Sequence, residues 1–466
     1  MSEARAARAP ATASWHADWA WLGGHDVVAD VVLEVTDGVL TRVESGVPTS
    51  PPNATRLPGL TLPGLANAHS HAFHRALRGR THAGATDFWG WRDRMYALAG
   101  RLDPDRYHRL ARACFAEMAL SGITLVGEFH YLHHPPGGAR YDEPNAMGEA
   151  LRAAAREAGL RLTLLDTLYL HAGIDEQPLD PAQQRFSDGD AERWAARVET
   201  LASAWAGDPT ARVGTAIHSV RAVDPKAMQT VSACAGRLGA PLHVHVSEQP
   251  AENEACRRAH GGSSPTALLA DAGVLGPLTT AIHATHVTDD DLDLLAAHDT
   301  TVCLCPTTER DLADGIGPAR AMAARSIPLA LGTDSQAVVD LFEEARAAEL
   351  DERLASGSRA GLRAETLLTA ATAAGTRCLG WPEAGALAPG RLADFVTVGL
   401  DSVRLAGIPP ADLVAGVVGA ATASDVTDVV VGGRPVVRDG AHLLVPDVPG
   451  ELAAAIASTE HEASDG

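Results

Sequence analysis

The chain has 466 residues, 46% hydrophobic and 21% charged, the balance of a globular enzyme with room for a barrel of roughly 250 residues plus a second domain. Its net charge of −21 argues against nucleic acid or an anionic membrane surface as partner, since both require a basic face. A small anionic substrate remains compatible, because a few arginines inside a pocket set the local potential.

Neither a signal-peptide core nor a membrane-length apolar stretch appears, so no membrane association is expected and the cytoplasm is the expected compartment. The cysteines (Cys114, Cys234, Cys256, Cys303, Cys305 and Cys378) lack C-x-x-C spacing and read as reduced thiols. Residues 1–60 pattern as short strands: DVVADVVLEV and VLTRVES flank Asp37-Gly38, a hairpin signal, and GVPTSPPNAT reads as a loop. Eight β-like runs follow: LTLPGLANAHSH, GITLVGEFH, RLTLLDTLYLH, RVGTAIHSV, PLHVHVSE, LTTAIHATHV, TTVCLCPTTE and IPLALGTDS. Helical stretches separate them, with start signals such as Asp103-Pro104 and stops at Gly122 and Gly239. Such alternation means a parallel sheet in an α/β fold, and eight units predict a closed (β/α)8 barrel over 61–384. An open doubly wound sheet is the alternative, but no G-x-G-x-x-G follows any strand. Beyond the barrel, ADFVTVGL and DVVVGGRPVVRDG, with a Gly432-Gly433 turn, repeat the N-terminal texture. Neither end buries a sheet face alone, so 1–60 and 385–466 are expected to pair into one small β domain. The polar tail after Thr459 reads as a frayed end.

Most barrel runs begin apolar and end in groups that do chemistry: His69 and His71, Glu128 and His130, His171, His218, His243 with His245 and Glu248, His283, and Asp334. In a barrel these ends converge on one mouth. A chain with 20 histidines yields about one His-x-His pair by chance, so position rather than spacing gives the pairs meaning. His69 and His71 point to one face of the first strand, and Asp334 on the eighth lies beside them after closure. His243 and His245 share a face, so spacing leaves open which is the third histidine ligand. Glu248, just past that strand, is placed to approach a water without being a ligand.

PGLANAHSHAFHRA, HVHVSE, IHATH and LGTDS, in this order, resemble the amidohydrolase superfamily, and LAPGRLADFVTVGLD is similar to its re-entry from barrel into a β-sandwich. The resemblance implies a distorted (β/α)8 TIM-like barrel with a small β-sandwich built from both chain ends. It makes His69, His71, His245 and Asp334 ligands of one metal ion per chain, Zn²⁺ with Fe or Mn as alternatives, and it implies a homodimer. Glu248 becomes the proton shuttle, His283 the histidine that contacts the reacting group, and Asp334 the group that orients the attacking water. The fourth strand ends without a lysine (AIHSV), which argues against a two-metal site.

FWGWRDRMY, VGEFHYLHH, IHSVRAV and CPTTERDLADGIG resemble the formimidoylglutamate deiminases, a family within that superfamily. This likeness implies hydrolysis of N-formimidoyl-L-glutamate to N-formyl-L-glutamate and ammonia, a step of histidine breakdown, with Arg92, Tyr131, His218 and Arg221 holding the substrate. Arginine suits a dicarboxylate because its fork binds carboxylate bidentately. The bland alternatives pair Arg92 with Asp93 or Asp87, and Arg221 with Asp224. Trp89, Trp91 and Tyr96 read as a loop folded over the pocket, and Cys303 and Cys305 as core or rim thiols. His74 stands where the family is expected to carry Gln, and is placed against the substrate. Competing readings are a deaminase of a purine, pterin or guanidino acid, a barrel that has become a non-catalytic scaffold, and a binding protein for anionic amino acids.

Overall fold

In a computed structural model, which describes residues 12–80, 88–359 and 361–460, the two chain ends meet in one sheet. Strands β1 (Thr12–Trp21), β2 (Val27–Thr36), β3 (Val39–Glu44) and β4 (Thr55–Pro63) come from the N-terminal side. The barrel strands follow as β5 (Leu65–Ser70), β6 (Ile123–His130), β7 (Arg161–Leu168) and β8 (Ala211–Ser219). They continue as β9 (Leu242–Val246), β10 (Thr279–His283), β11 (Thr301–Leu304) and β12 (Leu329–Leu331). Last come β13 (Phe395–Val398), β14 (Val426–Val431), β15 (Arg434–Arg438) and β16 (Ala441–His442).

The terminal strands form a single sheet in the order β16-β15-β14-β13-β4-β1-β2-β3. Its joint is the antiparallel β4–β13 pair, Pro63 opposite Phe395 and Leu60 opposite Val398. Asp37 and Gly38 both take positive φ (50° and 83°), as do Gly432 and Gly433 (56° and 71°), the backbone that two-residue hairpins need. Alternation gives the sheet two apolar faces. Phe395 and Val430 join Trp15 and Leu33 in a separate small core, while Val396 and Val429 join the barrel core. Trp15 meets Phe395 edge to face at 5.2 Å, a contact contributing about 0.5–1.5 kcal/mol beyond the area it buries. A buried ion pair ties sheet to barrel: Arg161 at the start of β7 donates to both oxygens of Asp394, at 2.6 and 3.0 Å.

β5 to β12 are hydrogen-bonded in chain order, and every neighbouring pair is parallel. The ring closes through an isolated parallel bridge, Ser70 to Asp334. The structure departs from the sequence expectation at two places. The run LTLPGLANAHSH belongs to two sheets: β4 stays in the small sheet through Pro63, Gly64 makes the step, and only β5 enters the barrel. Residues 88–96 are not a loop but the start of helix α1 (Phe88–Ala99). The buried residues Met95, Leu98 and Ala99 recur at helical spacing and turn one face inward, which outweighs the turn tendency of Gly90 and Asp93. Helix α2 (Pro104–Leu120) starts as read, with Asp103 accepting the Arg106 N–H at 2.7 Å and Pro104 in the first turn. Asp87 lies outside the described residues, as does the side chain of Trp89.

Candidate active site

The barrel mouth brings four strand ends together. His69 Nε2 lies 3.2 Å from Asp334 Oδ1, and His71 Nε2 lies 3.5 Å from the same oxygen. His245 Nε2 approaches His69 Nε2 to 3.2 Å. On the far side of their rings, His71 Nδ1 meets the Phe129 carbonyl at 3.1 Å and His245 Nδ1 meets the His218 carbonyl at 2.8 Å. A carbonyl only accepts, so each Nδ1 carries the proton and each Nε2 presents a lone pair to the centre. That is how metal-binding imidazoles are held, and the donor set fits a single divalent ion. His243 does not join. One layer deeper on β9, its Nε2 meets the Cys378 carbonyl at 3.0 Å.

Glu248 and His283 flank this cluster. His283 Nε2 is 3.8 Å from Glu248 Oε1 and 3.8 Å from Asp334 Oδ2. Burial raises the Glu248 carboxyl above the ordinary range, so it can hold a proton. Burial alone would lower the His283 imidazole, but Glu248, Glu309 and Asp334 outweigh it and raise it well above its usual value. Glu309 also fixes the ring: its Oε1 lies 3.3 Å from His283 Nδ1 and accepts the Cys305 N–H at 2.9 Å. His283 and Asp334 both adopt left-handed backbone, φ 68° and 43°, uncommon outside glycine and of the kind that collects at active sites.

From the cluster a small cavity of about 70 Å³ opens toward the surface. Arg92, Tyr131, His218, Arg221 and His74 all line it, together with Trp91, Tyr96, Tyr169 and Phe186. Burial pushes His74 down to about 3, so it is neutral, and its Nε2 lies 3.2 Å from the Tyr131 hydroxyl. Arg92 sits over the Tyr96 ring at 5.5 Å. Arg221 pairs with buried Glu252 (Nε to Oε2, 2.8 Å) and not with Asp224. Asp224 instead caps the helix Pro225–Leu238. The terminal Nη atoms of Arg221 have no hydrogen-bonded acceptor among the described residues. Cys305 lies near His283 and Asp334, but burial raises its thiol well above the usual range, which suits a structural thiol and not a nucleophile.

Four contributors escape a reading of strand ends. Glu309 and Glu252 sit on helices that follow strands and fold back onto them. Tyr169 follows β7 directly, so an aromatic at a strand end was a usable signal. Gln183 stands in a loop with none.

Residues 60–436 match the model of the Amidohydrolase family. A formimidoylglutamate deiminase of Pseudomonas aeruginosa is 36% identical over 416 residues, covering 87% of this chain and 90% of that protein. An amidohydrolase crystal structure from Brucella melitensis superposes with a TM-score of 0.90 at 32% identity, covering 96% of this chain and 100% of that one. An adenosine deaminase from Xanthomonas campestris with bound zinc gives 0.82 at 25% identity, covering 96% and 97%.

Proposed function

The chain belongs to the amidohydrolase family, and we propose that within it this hydrolytic deaminase converts N-formimidoyl-L-glutamate and water to N-formyl-L-glutamate and ammonia. One observation carries the substrate. The cavity lined by His71, His245 and Asp334 of the metal-ligand cluster is also lined by two arginines, Arg92 and Arg221, a pairing suited to an amidine joined to a dicarboxylate.

His69, His71, His245 and Asp334 would hold the ion. A divalent cation there supplies Lewis-acid activation of water, lowering its pKa from ~16 toward ~7. Glu248, as a carboxylate, takes a proton from the attacking water and passes it to the nitrogen that departs as ammonia. His283, kept protonated by its three carboxylate neighbours, stabilises charge developing at the formimidoyl carbon. Asp334 orients the attacking water. Arg92 and Arg221 receive the carboxylates, Tyr131 and His218 pack and hydrogen-bond beside them, and His74 acts through Tyr131.

The proposal extends to Zn²⁺ as the ion, by analogy with the zinc in the similar adenosine deaminase, with Fe or Mn as outcomes of metal analysis. It also extends to histidine breakdown as the pathway, the cytoplasm as the compartment and a homodimer as the assembly, the last checked by sedimentation. The deciding experiment is ammonia release from N-formimidoyl-L-glutamate with and without chelator, beside purines, pterins and guanidino acids. Preference for any of those would replace this substrate.

A further inference from the structure

Gln183, grouped with Arg92 and Arg221 at an adjoining cleft, is buried at 1% exposure. Its orientation follows from its partners. Oε1 accepts the backbone N–H of Asp180 at 2.9 Å, and the flipped amide would set N–H against N–H there. Nε2 therefore faces the hydroxyls of Tyr96 and Tyr169, each at 3.0 Å. An amide nitrogen only donates, so both its hydrogens go to the phenol oxygens and each phenol keeps its own O–H proton. The two phenols also interact with each other, but such a contact consumes one of those protons and not both. At least one O–H remains to be donated. Both rings line the cavity beside Arg92 and Arg221. Burial raises the Tyr169 hydroxyl further above neutrality, so it stays a donor at working pH.

We propose that Tyr96 and Tyr169, set by Gln183 as a positioning residue, form a phenolic carboxylate-binding pair that selects dicarboxylate substrates alongside the two arginines. It rests on the anionic substrate proposed above. Gln183→Glu is the sharp test, because an isosteric carboxylate accepts the phenol protons and draws them away from the cavity. We expect it to raise KM for N-formimidoyl-L-glutamate about 10- to 100-fold with kcat changed only a few-fold, and Tyr169→Phe or Tyr96→Phe to raise KM about 10-fold. The Kd for glutarate, a dicarboxylate without an amidine, should rise by similar factors in calorimetry while metal content and Tm of the Phe variants hold. Unchanged glutarate binding in all three variants overturns the pair, as does a loss confined to kcat or a parent protein that does not bind glutarate. If the parent binds glutarate and the variants weaken it, yet no ammonia is released from N-formimidoyl-L-glutamate, the proposed function fails and the pair stands.

Discussion

The backbone N–H of Asp334 donates to the carbonyl of His69 at 3.0 Å, and the same residues meet again at their side chains, Nε2 to Oδ1 at 3.2 Å. The first and last barrel strands are thus joined by the residues of the candidate metal centre, where the regular ladder thins to the single Ser70–Asp334 bridge. Closing the barrel and assembling the ligand set are one structural event.

Gly332 tests this seam. A Cβ built there would lie 2.7 Å from His69 Cβ, 2.9 Å from its carbonyl oxygen and 3.0 Å from its nitrogen, and rigid backbone cannot yield cheaply. Gly332→Ala should therefore shift His69 against Asp334, cutting metal affinity and kcat/KM by about 10- to 100-fold, the loss usual when a ligand is misplaced. Far-UV circular dichroism should be unchanged. Full metal occupancy and activity in this variant would show that the seam tolerates expansion.

The assignment of Glu248 as proton carrier makes a separate demand. It stands beside the cluster, 3.8 Å from His283, without joining the His69–His71–Asp334 or His69–His245–His283 groups able to share an ion. Glu248→Gln should lower turnover by ~10²–10⁴ while metal content stays that of the parent. Near-parental turnover with metal retained removes Glu248 from the chemistry.

These residues were unequally legible in the sequence, for physical reasons. The hairpins at Asp37-Gly38 and Gly432-Gly433 were readable because positive φ at two successive positions leaves few residue choices. His69, His71 and Asp334 were readable as strand ends because a barrel gathers such ends at one mouth. His245 could not be separated from His243 by periodicity, since both face one way and differ only in depth along β9. Residues 88–96 read as a loop from their aromatic cluster, because the inward face of α1, Met95 with Leu98 and Ala99, exists only against the rest of the fold. Glu309, Glu252 and Gln183 reach the site by tertiary folding of the segments after strands, which leaves no period to detect.

Arg221 serves two masters, and its removal should show both. Its fork faces the cavity, yet its Nε neutralises Glu252, whose side chain is only 2% exposed. Arg221→Ala should raise KM for the anionic substrate at least about 10-fold through the lost charged hydrogen bonds. It should also lower Tm, because a buried carboxylate is left without its cation. Arg221→Ala with Glu252→Gln should recover the Tm but not the KM. Recovery of both, or of neither, would separate the two roles differently.

Outside the cavity, Arg197 makes a pH prediction. It bonds Asp166 at 2.8 and 2.8 Å and Asp188 at 2.9 to 3.2 Å, all three side chains being buried. Burial alone would raise both carboxyls, but Arg197 at Asp166, and His134 together with Arg197 at Asp188, hold both below the usual range. A depressed folded pKa gives stability that is complete above the unfolded value near ~4 and is lost as pH falls through it toward the folded one. Over pH 7.5 to 5 the parent should therefore keep this contribution, and His133, pushed by burial to about 4, stays neutral across that window. Arg197→Met removes the cation, so burial dominates and the carboxyls rise above their unfolded values. The variant should be less stable by about 3–5 kcal/mol at pH 7.5, with the deficit narrowing toward pH 5 as the stranded carboxyls take up protons. Urea melts at the two pH values measure the gap, and a deficit that is constant or widens on acidification would remove Arg197 as the group that keeps these acids ionised.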